Sequence, residues 1–284
     1  MGATLFPRTT VGGVSVSRLI IGTNWLLGWS HTSPAADKII GEKNRNPEAI
    51  AAMVETFLGA GVDTIMGPLS DHPVSLEGIA LAEQRTGKGV IRIDTPIVPV
   101  GDSPSARKEA AAVFDRVKKS GAVFCLPHHS SVEQLVNKGK QTIERLPDYL
   151  SMIRDRGMVP GLSAHMPELV VYSDLNNYDV ETYIQIYNCA GFLMQIEVEY
   201  INKVIWDAKK PVMTIKPMAA GRVSPFVGLS FAWNTIRPQD MVTVGCISTH
   251  EALEDVELSL AAIEHRRPAV GGRASPGKSA ILDK

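Results

Sequence analysis

Eight short apolar runs recur along the chain, and a longer stretch with helical periodicity follows each one. The runs are RLIIG (18–22), DTIMG (63–67), VIRID (90–94), AVFCL (122–126), VPGLS (159–163), TYIQIY (182–187), VMTIK (212–216) and MVTVG (241–245). Runs that are apolar throughout suit strands covered on both faces, the condition of a parallel sheet. Parallel neighbours need a crossover, usually a helix, and the intervals between these runs are long enough to hold one.

The intervals carry helix signals. Asn46-Pro47-Glu48 places an N-cap and a first-turn proline, with Gly61 past the helix end. Ser103 opens SARKEAAAVFDRVKKSG, whose last turn is basic. Ser248 or Thr249 caps HEALEDVELSLAAIEHR, where Leu253, Val256, Leu260 and Ile263 make a helical stripe. Eight β-then-α units with no break in composition predict an α/β chain folded as one (β/α)8 TIM barrel domain over residues 1–284. A doubly wound sheet would place a glycine-rich phosphate loop after its first strand, and GTNWLLGWSH is not one. Gly12-Gly13 between two β-like stretches predicts an N-terminal β-hairpin within residues 1–17. Residues 267–284, rich in Gly, Pro and Ser, read as a C-terminal extended tail.

Hydrophobic residues make up 44% and charged residues 21% of 284, as expected of a soluble protein with a large core. A net charge of −1 gives no general attraction to nucleic acid or an anionic membrane. No run spans a bilayer and no secretory leader is evident, so a cytoplasmic location is expected. Three widely spaced cysteines argue against a disulfide framework, and Cys125 and Cys246 read as buried, inert thiols.

In a barrel of this kind the acting residues stand at the C-terminal strand ends and in the loops beyond them. That rule selects Asn24, Trp25 and His31 after the first strand, and Asp71 after the second. Asp94, His128 and His165 follow the third, fourth and fifth, Tyr187 the sixth, and Lys216 the seventh. Each has a structural alternative: Trp25 packs a rim, Asp94 caps a loop, and His129 caps or faces solvent. A buried Lys216 requires a partner, for which Asp94, Asp71 or an anionic ligand are candidates. His128, His165 and Asp94 would suit a divalent metal such as Zn²⁺ or Mn²⁺, and the rival reading is acid–base catalysis by His128.

The chain also resembles the aldo-keto reductase superfamily over residues 8 to 265. VGGVSVSRLIIGT is similar to that family's hairpin and first strand, GVDTIMGPLSDH to its second strand, and AVFCLPHH to a strand ending in histidine. IKPMAAGRV and VTVGCISTHEALEDVELSL resemble its two cofactor-holding segments. The resemblance implies a barrel in which Ser163, Gln185 and Tyr187 floor a nicotinamide and Arg222 stands at its phosphates. Against the family's catalytic set, the aspartate falls on Met66, the tyrosine on or near Asp71 and the lysine on Pro96, and the histidine is kept as His128. Carbonyl reduction needs a proton donor, and a carboxylate ordinarily ionised at neutral pH does not replace a phenol.

The sequence thus points to a barrel enzyme acting on a small polar substrate, of sugar or keto type, by acid–base or metal-assisted chemistry other than reduction. Catalysis is expected from His128, Asp71, Lys216 and Asp94, with Asn24, Trp25, His31 and Tyr187 holding substrate. A divalent metal is expected ahead of NAD(P). The alternatives are a divergent NAD(P)-dependent oxidoreductase and a catalytically silent binding subunit.

Overall fold

The computed structural model describes residues 5–270. Strands β1 (Arg8–Val11) and β2 (Val14–Ser17) pair antiparallel, with Val11 opposite Val14. Gly12 and Gly13 turn the chain at φ 53° and 80°, the left-handed conformations that a two-residue hairpin turn requires.

The barrel strands are β3 (Leu19–Gly22), β4 (Thr64–Gly67), β5 (Ile91–Asp94) and β6 (Phe124–Cys125). A small antiparallel pair that the sequence reading did not anticipate, β7 (Val136–Asn137) with β8 (Thr142–Ile143), interrupts the series. The barrel resumes with β9 (Val159–Pro160), β10 (Leu162–Ala164), β11 (Tyr183–Ile186), β12 (Val212–Ile215) and β13 (Met241–Val244). All pairs are parallel, in the order β10-β11-β12-β13-β3-β4-β5-β6-β9. The two ends of that order, β9 and β10, are halves of one stretch of chain broken at Gly161, so the sheet closes on itself. A Cβ at Gly161 would stand 2.7 Å from the Thr182 carbonyl oxygen, so only glycine fits at the break.

Alternation along the strands separates two cores. Inward-facing Ile20, Met66, Ile93, Phe124, Ile184, Met213 and Met241 fill the barrel together with Val11 and Val16 of the hairpin. The hairpin therefore closes the end where the strands begin. The larger core lies between the strands and the surrounding helices. Asn46, Ser103 and Ser248 cap helices Pro47–Gly59, Pro104–Lys119 and Thr249–Ile263 through side-chain oxygens. In the last helix the buried face runs through Ala252, Asp255, Val256, Ser259 and Leu260. Leu253, expected on that stripe, is 55% exposed, although it lies on nearly the same side of the helix as buried Leu260.

The tail expected over 267–284 lies, from residue 271 onward, outside the described residues. Among the described residues no helix is long and apolar enough to cross a membrane.

Candidate active site

The strand C-termini open into a cavity of about 1870 Å³. Close backbone approaches set its floor. A Cβ on Gly67 would fall 1.7 Å from Thr23 Oγ1, and one on Gly245 would fall 2.3 Å from Trp25 Cδ1. These two glycines allow the loop after β3 to fold over neighbouring strands, which brings Asn24 and Trp25 to the cavity wall. At the rim Trp29 meets His72 edge to face, with ring centroids 5.3 Å apart.

His31 lies further along the same loop. Asp37 anchors the turn before it, accepting hydrogen bonds from the Ser30 backbone N–H (2.7 Å) and hydroxyl (2.6 Å). His31 Nε2 lies 3.1 Å from Asn24 Nδ2 and 3.2 Å from Lys216 Nζ. Both neighbours are donors, so Nε2 is the acceptor of a neutral ring whose proton sits on Nδ1. Burial and then the Lys216 charge lower the His31 pKa, in agreement with a neutral ring. Burial likewise pulls Lys216 down to about 8. Among the described residues no carboxylate pairs with this lysine, so neither Asp94 nor Asp71 is the partner its position called for.

Across the mouth three imidazoles pack together. The His128 and His129 rings lie 4.1 Å apart between centroids, and those of His129 and His165 lie 3.6 Å apart and 19° from parallel. His128 caps the short helix His129–Val132, and its Nδ1 accepts from the Ser130 backbone N–H and lies 2.8 Å from the Ser130 hydroxyl. That arrangement leaves the ring proton on Nε2. Burial, reinforced by His129, lowers His128 to about 4. The same causes, together with Lys216, lower His165 to about 3. Glu133 supports the cluster from behind, at 3.4 Å from His129 Nδ1, and accepts the backbone N–H groups of His165 (2.7 Å) and Met166 (2.8 Å). Burial raises the Glu133 pKa, but these bonds outweigh it and leave the group below the usual range.

His129 is therefore a member of the cavity wall, where sequence reasoning saw a capping or surface residue. The available signal was its i,i+4 spacing to Glu133 on one helical turn.

Several expected site residues lie elsewhere. Asp94 alternates with inward-facing Ile93, so its side chain points out of the barrel, away from the cavity. It is fully buried there, with Oδ2 accepting the Ser70 N–H (2.7 Å) and Oδ1 without a partner; burial raises its pKa to about 7. Asp71 lines the cavity edge, paired with Arg116 at 2.6 Å. Tyr187 and Gln185 share the outward face of β11 with Tyr183. The Tyr187 hydroxyl bonds Thr235 (3.0 Å) and Asn202 (2.8 Å), and neither Tyr187 nor Gln185 lines the cavity. Ser163 and Arg222 do line it. Cys125 and Cys246 are buried with pKa values pushed up by burial, so both are inert thiols.

The metal set of His128, His165 and Asp94 is not assembled. His129 is stacked on His165 and tilted 51° to His128, Asp94 points away, and among the described residues no three His, Cys, Asp or Glu side chains are placed to hold an ion.

A TIM barrel with a hairpin-closed base and its polar groups at the strand C-termini is an aldo-keto-reductase-like fold. A candidate aldo-keto reductase from Pseudomonas aeruginosa superposes with TM-score 0.65 at 14% identity, over 92% of this chain and 98% of that one. An aldo/keto reductase from Klebsiella pneumoniae, solved with NADP and acetate, gives 0.51 at 14%, over 98% and 95%. The BexX/CysO complex from Amycolatopsis orientalis gives 0.52 at 12%, over 94% and 100%. At these identities the likeness is one of fold. No protein-family model and no curated protein matches the sequence.

Proposed function

We propose that the protein is a single-domain barrel enzyme that binds a small polar carbonyl compound, of sugar or keto type, and moves protons on it without ordinary reductase chemistry. The observation that carries this reading is Lys216 in the cavity with a neutral imidazole, His31, as its hydrogen-bond partner. An uncompensated ammonium in a half-closed site favours a ligand oxygen that is negative or becomes so. His128 lines the same cavity with its ring proton on Nε2, and a carbonyl oxygen reached by both groups would be polarised from both sides. His165, neutral and lining the same cavity, would take the proton from the carbon next to that carbonyl; burial makes it a weak base, so this step depends on the polarisation that Lys216 and His128 supply. The outcome would be lyase- or isomerase-type chemistry.

Gln185 and Tyr187, expected to floor a nicotinamide, do not line the cavity, whereas Ser163 and Arg222 do, and the wall beside the last helix mixes Glu251 and Glu254 with Arg266 and Arg267. Among the described residues no three His, Cys, Asp or Glu side chains are placed to hold a metal.

Proton NMR in D2O with pyruvate and with dihydroxyacetone tests the reading. Enzyme-dependent deuterium incorporation beside the carbonyl is expected, falling by roughly 10²-fold in His165→Gln. Neither exchange nor saturable binding with either compound would refute it.

A further inference from the structure

We propose that Lys216 acts as a covalent centre, condensing with the carbonyl of its substrate to form an imine. The inference rests on the carbonyl-binding reading above and asks more of the same residue: nucleophilic attack in place of electrostatic attraction alone.

The geometry distinguishes this lysine from one held as a permanent cation. A lysine that answers a carboxylate is kept protonated by it. Lys216 answers His31 Nε2, a neutral acceptor that also takes a hydrogen bond from Asn24. The amine can lose a proton to that nitrogen without leaving a buried carboxylate unpaired. Burial works in the same direction, and with a pKa of about 8, roughly a tenth of the side chain is free amine at neutral pH.

The backbone is also committed. Lys216 has φ 60° although it precedes Pro217, a position that ordinarily favours extended backbone. The Ala219 N–H on the Lys216 carbonyl (2.9 Å) closes the turn that holds this conformation. A long side chain is thereby fixed at the end of β12 on the cavity wall, and such strain is found where a position is set by function.

The steps balance without any further reagent. The Lys216 ammonium gives one proton to His31 Nε2. The amine lone pair attacks the carbonyl carbon, a C–N bond forms, and the C=O π pair moves to oxygen. One nitrogen proton passes to that oxygen, giving a carbinolamine. Protonated His31 then returns its proton to the hydroxyl, which leaves as water while the nitrogen lone pair completes the C=N⁺ bond. His31 ends neutral, as it began, and nothing has been oxidised or reduced.

The test is borohydride trapping on the full chain. Protein is incubated with pyruvate or with dihydroxyacetone and reduced with sodium borohydride, and its peptides are weighed. The expected result is a reduced adduct on the peptide carrying Lys216. It should be absent in Lys216→Arg and formed at least roughly tenfold more slowly in His31→Gln, which retains the lysine. Circular dichroism establishes that each variant is folded, and the His31→Gln rate gives a second reading if Lys216→Arg is not. Deuterium exchange or binding without an adduct overturns the imine and leaves the acid–base reading standing. An adduct formed equally in Lys216→Arg also overturns it. Absence of adduct, exchange and binding removes both.

Discussion

Lys216 Nζ and His31 Nε2 meet at 3.2 Å across 185 residues of sequence, and both residues hold left-handed backbone, at φ 60° and 57°. Non-glycine residues in this region cost of the order of 1 kcal/mol or more each. Two of them joined by one hydrogen bond at a cavity wall mark a contact maintained at the expense of stability.

Replacing the lysine should therefore stabilise the fold. Its pKa is lowered from 10.5 to about 8, so below pH 8 both states are protonated and the folded state bears the full desolvation cost. That cost is relieved as pH rises from 8 toward 10.5, because the folded protein releases its proton first. Lys216→Met is expected to be more stable than the parent by about 2 kcal/mol at pH 7. The difference should narrow toward pH 10 in urea melts, and a gap independent of pH would contradict the assignment.

The imidazole pair predicts acid sensitivity. His128 and His165 titrate near 4 and 3 when folded, against an ordinary 6.5. Below pH 6.5 the unfolded chain takes up protons that the folded one refuses, so stability falls as pH drops toward 4. Each ring should account for about 1–2 kcal/mol of that loss after solvent screening. His128→Gln and His165→Gln should each show a shallower decline between pH 7 and 5 than the parent, measured by chemical denaturation.

Asp94 behaves in the opposite sense. Its pKa is raised from 3.8 to about 7, so its burial costs nothing below pH 4 and costs progressively more up to pH 7. Asp94→Asn keeps an oxygen for the Ser70 N–H and removes the charge. It should stabilise by about 1–3 kcal/mol at pH 8, with little effect at pH 4. Because Asp94 lies outside the cavity, ligand binding should be unchanged; a large loss of binding would return it to the site.

Gly67→Ala should be among the most damaging small changes, because its methyl would occupy the position of the Thr23 side chain. A loss of about 2–4 kcal/mol is expected. Thr23→Gly in the same chain should recover much of it, a coupling that thermal melts of the double-mutant cycle would measure.

The strands were legible because buried parallel strands are written as short apolar runs, and the hairpin because two glycines in succession predict one turn type. The strand ends were harder. Whether a residue reaches the mouth or the helix layer depends on a parity that one residue reverses. Lys216, His128 and His165 fall on the cavity side, whereas Asp94, Gln185 and Tyr187 fall on the other. An apolar run covered on both faces carries no polar alternation from which to read that parity. His129 was missed for a different reason: its place in the stack depends on a helical turn beginning immediately after the strand. The contact between Lys216 and His31 depends on a long loop folding over the barrel, and no local pattern encodes it.

The hairpin that packs Val11 and Val16 into the barrel base has a kinetic corollary. A vessel stoppered at one end has one door. Under the reading proposed above, substrate and product share the rim at Trp29 and His72, so one occupant must clear it before the next arrives.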